Sequence, residues 1–210
     1  MTIAVVDYGM GNLRSVAKAL EHVTREPVEV TDEPGRIAAA ARVVFPGQGA
    51  VRDCMSALQR RELVGVLLES LERCPFLGIC MGMQALMTDS EENDGVAALD
   101  VCAGHVRHLG PLVAGQRELK VPHMGWNNVR QVAPHPLWNG IEDATRFYFV
   151  HSYYVAPDQP ERVVGTTEYG AEFAVAIAWA NVFATQFHPE KSQRPGLQLL
   201  ENFSRWDGGL

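Results

Sequence analysis

FLGICMGMQ, residues 76–84, is a short apolar run that breaks on a cysteine. Pro75 to Ile79 shows no alternation and predicts a parallel strand buried on both faces, whereas Met81 to Met87 carries a helical pattern. Cys80 therefore stands on a strand-to-helix corner with Gly78 and Gly82 two residues to either side. A nucleophile on so sharp a turn needs neighbours with no side chain, because backbone crowds them from both directions. The corner also points the thiol at the positive end of a helix, which favours the thiolate and supplies amide donors for developing negative charge. A buried cysteine merely packed beside glycines is the competing reading of these letters.

The far end of the chain separates the two readings. Asn181 to Phe187, NVFATQF, predicts a second apolar strand that delivers His188, Pro189 and Glu190 at its carboxyl end, the edge where open α/β sheets gather their chemistry. Pro189 biases His188 towards extended backbone, so side chains 188 and 190 are expected on one side. A histidine oriented by a carboxylate can accept the Cys80 proton and later return it, so Cys80, His188 and Glu190 form a usable triad.

GICMGMQ together with HPEK at 188–191 resembles the class I (triad) glutamine amidotransferases. Four further stretches resemble one branch of that family, the glutaminase subunits of imidazole glycerol phosphate synthase: DYGMGN (7–12), PGQGA (46–50), PHMGWN (122–127) and YFVHSY (148–153). The glutaminase subunits of pyridoxal phosphate synthase and anthranilate synthase share the cysteine elbow and the HPE, but DYGMGN and PHMGWN argue against both. A non-catalytic scaffold of the same architecture would lack Cys80 or His188, and both are present. The resemblance implies an α/β fold of the flavodoxin-like three-layer kind, with a mostly parallel central sheet flanked by helices and appended antiparallel strands. It implies glutamine as substrate, no cofactor and a heterodimer with a cyclase subunit.

It also implies residue roles. Backbone amides of Met81 and of Gln48 or Gly49 would form the oxyanion hole, and two glycines in PGQGA let that loop bring amides close to a carbonyl. Gln84, Glu92, Ser152 and Tyr153 would hold the amino-acid end of glutamine, with Glu91 able to slip into the register of Glu92. Asn12, Trp126, Tyr148 and Lys191 would face the cyclase. Met81 and Gln48 depart from the usual pattern, the former without consequence because it acts through its amide.

Bulk properties agree with this outline. A chain of 210 residues with 47% hydrophobic and 20% charged content suits one α/β domain, 1–210, without linker or repeat. Its net charge of −7, with scattered Lys and Arg, argues against nucleic-acid or anionic-membrane binding. No run approaches a membrane span and no signal segment opens the chain, so a cytoplasmic location is expected. Cysteines 54, 74 and 102 show no framework spacing and read as packing residues. His105 and His108, three apart in a strand-like segment, should face opposite ways, so no metal site is expected. The GMGN loop lacks a full G-x-G-x-x-G and is not read as a nucleotide site. Between Val96 and Ala180 the pieces 101–109, 118–121, 126–132, 146–154, 162–167 and 173–179 read as antiparallel strands.

Overall fold

A computed structural model of the chain describes residues 1–209. Its elements run β1 (Ile3–Val6), α1 (Leu13–Val23), β2 (Val28–Thr31), α2 (Pro34–Ala39), β3 (Arg42–Gly47), α3 (Val51–Arg60), α4 (Val64–Arg73), β4 (Phe76–Cys80) and α5 (Met81–Gln84). There follow β5 (Met87–Ser90), β6 (Val96–Ala97), β7 (Cys102–His108), α6 (Gly110–Val113), β8 (His123–Gln131), β9 (Thr145–His151), β10 (Tyr153–Pro157), β11 (Val163–Tyr169), β12 (Ala171–Trp179), β13 (Val182–Thr185) and α7 (Gln193–Arg205).

The sheet is built round the order β2-β1-β3-β4-β13, with every neighbouring pair parallel. Strands β1, β3, β4 and β13 are buried along their whole length, as expected for strands covered on both faces. Alternate side chains divide the core. Ala4, Val6, Val43 and Phe45 pack against Ile37, Leu58 and Leu67 of α2, α3 and α4. Ile3, Val5, Val44 and Leu77 pack against Val16 and Leu20 of α1 and Leu199, Leu200 and Phe203 of α7. Each such fully buried aliphatic or aromatic side chain contributes about 1.5–3 kcal/mol relative to exposure. The three-layer arrangement read from the sequence is thus observed.

Beyond β13 the sheet turns antiparallel through β12, β10 and β7, while β11, β8 and β9 extend from β12 as a side branch. Three local expectations are corrected. The helix after Cys80 ends at Gln84 instead of Met87, because the carbonyls of Ala85, Leu86 and Met87 are taken by the amides of Leu99, Val101, Cys102 and Asp100, which draw the chain into β5. Residues 118–121 form no strand; the N–H and carbonyl of Lys120 bond the Tyr169 hydroxyl instead of a neighbouring backbone. The 146–154 strand is two, since His151 pairs with His123 of β8 and Tyr153 pairs with His108 of β7, so the chain changes partners at Ser152. No helix among the described residues is long and apolar enough to cross a membrane. His105 bonds Asp89 at 2.8 Å, and the His108 ring lies edge-on to Tyr153.

Candidate active site

Cys80 closes β4 with φ 56° and ψ −103°, a left-handed backbone that a side chain seldom adopts. The glycines beside it are sterically required. A Cβ on Gly82 would stand 1.8 Å from the Phe45 carbonyl oxygen, and one on Gly78 would stand 3.0 Å from Ala184 Cβ and from the Gly82 oxygen. The next residue, Met81, opens α5, so its N–H has no partner within the helix.

Strands β4 and β13 are parallel neighbours with Ile79 opposite Thr185, so Cys80 and Gln186 leave the sheet edge side by side. His188 itself is extended (φ −100°, ψ 99°), as the proline after it predicts, but the chain then turns. Pro189–Lys191 form one 3₁₀ turn, fixed by His188 N–H on the Tyr148 carbonyl (3.0 Å) and Ser192 Oγ–H on the His188 carbonyl (2.6 Å). Across that turn His188 Nδ1 meets Glu190 Oε1 at 2.8 Å, with both side chains buried. The contact fixes Nδ1 as the protonated nitrogen of a neutral ring. Nε2 makes no bond of ordinary hydrogen-bond geometry and is left beside Cys80, close enough for the sulfur to stabilise the charged ring. Burial pulls the His188 pKa down, but Cys80 and Glu190 outweigh it and raise it to about 10.

These side chains open into a cleft of about 520 Å³ whose walls include Gln48, Gly49, Cys80, Met81, Gln84, Glu92, Ser152, Tyr153 and His188. Every residue assigned by resemblance to catalysis or substrate therefore lines one cavity, except Glu190, which stands behind His188. Glu92, not Glu91, faces it. Glu92 Oε2 accepts the Val51 N–H at 2.9 Å, tying this carboxylate to the start of α3 just beyond the glycine loop, while Glu91 accepts from His108 N–H and turns towards Arg107. The glycine loop rests on the DYGMGN loop: a Cβ on Gly47 would strike the buried Tyr8 hydroxyl, and Gly11 (φ 98°) packs against the Gly47 backbone.

Two residues not singled out from the sequence lie buried behind the residues that line the cleft. Gln186, fully buried, accepts Gln84 Nε2–H on Oε1 at 3.0 Å and donates from Nε2 to Cys80 Sγ at 3.6 Å. His123 Nδ1 meets His151 Nε2 at 2.8 Å, and His151 Nδ1 meets the Tyr153 carbonyl at 2.8 Å. His151 both lines the cleft and holds a buried histidine pair. The signal for Gln186 was a lone amide in an apolar strand; for His123 it lay within PHMGWN.

The residues expected at a partner surface sit at the same edge. Trp126 is 36% exposed and edge-on to Tyr148, Lys191 Nζ stands 6.0 Å from the Tyr148 ring centre, and Met124 beside them is 62% exposed. Asn12 caps α1, which packs against the 189–191 turn.

The family model for glutamine amidotransferase class-I matches residues 4–205. The imidazole glycerol phosphate synthase subunit HisH 1 of Pseudomonas aeruginosa is 55% identical over 208 residues, covering 99% of this chain and 98% of that one. The HisH subunit of Thiobacillus denitrificans is 56% identical over 211 residues, covering 99% and 92%. Among solved structures, one described as a glutamine amidotransferase superposes with a TM-score of 0.71 at 16% identity, covering 96% of this chain and 98% of that one. PurLQS from Thermotoga maritima superposes with 0.70 at 17% identity and 97% coverage of each chain. With a family model spanning nearly its whole length and relatives sharing more than half its residues, the chain belongs to the class-I glutamine amidotransferases.

Proposed function

We propose that this chain is the glutaminase subunit of an imidazole glycerol phosphate synthase, acting in the cytoplasm as one domain over residues 1–210. It hydrolyses glutamine to glutamate and ammonia and passes the ammonia to a cyclase subunit, which makes imidazole glycerol phosphate and aminoimidazole carboxamide ribotide in histidine biosynthesis. The observation that carries the chemistry is a cysteine on a strained corner beside a histidine whose other nitrogen is held by a buried glutamate. Identity of 55% with HisH subunits along the full length supports the choice of partner.

The side-chain carboxamide of glutamine lies over Cys80, its α-amino group towards Glu92 and its carboxylate towards the backbone of Ser152 and Tyr153. Cys80 gives its thiol proton to His188 Nε2 as Sγ attacks the amide carbon. The oxygen takes the negative charge, held by the amides of Met81 and the Gln48–Gly49 loop. His188 gives its Nε2 proton to the departing nitrogen as the carbonyl re-forms, releasing ammonia and leaving a glutamyl thioester. Water then loses a proton to His188 and attacks the thioester; collapse returns the thiol and glutamate. Glu190 keeps the ring in the required tautomer throughout. Ammonia in neutral water is mostly ammonium and cannot attack, so this reaction serves a synthesis only at a docked partner.

Replacing Cys80 with serine tests the reading. Glutamine hydrolysis in the presence of the cyclase should fall by several orders of magnitude, as it does when one member of a triad is lost, with fold and partner binding intact. Near-normal hydrolysis by the folded variant would overturn it.

A further inference from the structure

We propose that Gln186 is a positioning residue for the nucleophile, presenting an N–H to Cys80 Sγ that favours the thiolate. The inference rests on Cys80 as the attacking group.

The direction of that hydrogen bond is imposed from a distance. The two ends of a glutamine amide differ little in shape, so their roles follow from the network around them. Here the network ends on a group that can only accept. The Tyr153 carbonyl receives Gln84 Nε2 at 3.2 Å, which fixes the Gln84 amide with its nitrogen inward. The second hydrogen of that nitrogen goes to Gln186 Oε1 at 3.0 Å. Gln186 then has only its nitrogen left for the sulfur, 3.6 Å away. Turning the Gln186 amide over would set two N–H groups against each other and leave a buried carbonyl facing the sulfur. Gln186 is fully buried and Gln84 4% exposed, so neither has water as an alternative partner. The Tyr153 carbonyl is itself held by His151 Nδ1–H at 2.8 Å.

The site uses this donor in two ways. It limits rotation of the sulfur at a corner where the backbone is already strained, and it stabilises negative charge on sulfur in a bond stronger than one to the neutral thiol. The other titratable groups acting on the sulfur are His188, from the turn after β13, and Tyr8, from the loop after β1. Neither touches Gln186 by hydrogen bond, so a change at 186 leaves them in place. Glu190 and His151 act on His188 and lie a further residue away.

The test is the pH dependence of alkylation at Cys80 by iodoacetamide, read by mass spectrometry of the Cys80 peptide, for the natural chain and for Gln186→Met. Loss of a hydrogen bond to a charged group should move the midpoint upward by about one unit and slow alkylation near neutral pH about tenfold. In glutamine hydrolysis with the cyclase bound, kcat should fall by a similar factor while KM changes by less than about twofold. An unchanged midpoint, or a loss confined to KM, would overturn the proposal. Should Gln186→Met fail to fold, the side-chain amide protons of Gln186 in the natural chain decide by nuclear magnetic resonance. They should move downfield as Cys80 ionises, and absence of that movement contradicts the bond. Alkylation does not depend on glutamine, so these results judge Gln186 even if Cys80→Ser proves that hydrolysis runs elsewhere.

Discussion

At Cys80 the chain holds a backbone conformation that costs about 1–3 kcal/mol, and the surrounding atoms leave it no other course. Gly82→Ala would drive a Cβ to 1.8 Å from the Phe45 oxygen, so we expect stability to fall by about 3 kcal/mol or more, as in severe overpacking, with hydrolysis lost in whatever remains folded. Urea unfolding together with glutaminase activity checks this; a variant of natural stability and rate would contradict the elbow's steric account. At the other half of the site, His188→Ala should cost more activity than Glu190→Ala, because in the proposed reaction the histidine moves protons and the glutamate only orients it. Equal or greater loss at Glu190 would give that carboxylate a different role. These residues were legible because their spacing is local: glycines flanking a cysteine, and a histidine two places before an acid. Gln186 was not, since its contact with Cys80 arises from the pairing of β13 with β4, which no local pattern in NVFATQF announces.

Among the elements, the β8–β9 pair and the segment joining its strands carry the least expected chemistry. Burial pushes His123 and His135 down to about 4 and His151 to about 3, from an ordinary 6.5. The unfolded chain takes up these protons near pH 6.5, and the folded chain resists until much lower pH. The stability they contribute is therefore complete above 6.5 and is lost as pH falls towards 4 and 3. Urea unfolding should show stability declining already between pH 6.5 and about 5, above the range where ordinary carboxylates titrate; a flat profile there would contradict neutral buried rings. Protonation of His151 Nε2 would also break its bond to His123. The parallel half of the fold was readable because its inner strands are largely apolar runs and its helices striped. The helix after Cys80 was overrun because strand pairing of Met87 with Cys102 outweighs a helical pattern. The choice between Glu91 and Glu92 likewise had to wait for β5 to pair with β7, which turns Glu91 towards His108.

At the scale of the whole molecule, the cleft shares one edge with the residues proposed to face the cyclase. Lys191 follows Glu190 directly, and Trp126, Tyr148 and Met124 stand exposed or half-exposed beside it. Ser192 Oγ joins the two, accepting Tyr148 N–H and donating to the His188 carbonyl. A cyclase pressing on this edge bears on the triad turn, so hydrolysis should be slow for the chain alone and fastest when the cyclase holds its nucleotide; an effector acts only if it binds the competent state better than the idle one. Steady-state rates for the chain, the pair and the pair with nucleotide check this, and three equal rates would refute it. The synthase should also turn over on concentrated ammonium salts at alkaline pH with Cys80→Ser in place, if ammonia is all that this chain delivers. Attack by Cys80 is tested most directly by mixing chain, cyclase and glutamine, quenching with acid and weighing the intact chain and its peptides. A glutamyl adduct is expected on the peptide containing Cys80 and on none containing Cys54, Cys74 or Cys102; turnover with no adduct on Cys80, or an adduct on another cysteine, would rule out Cys80 as the nucleophile.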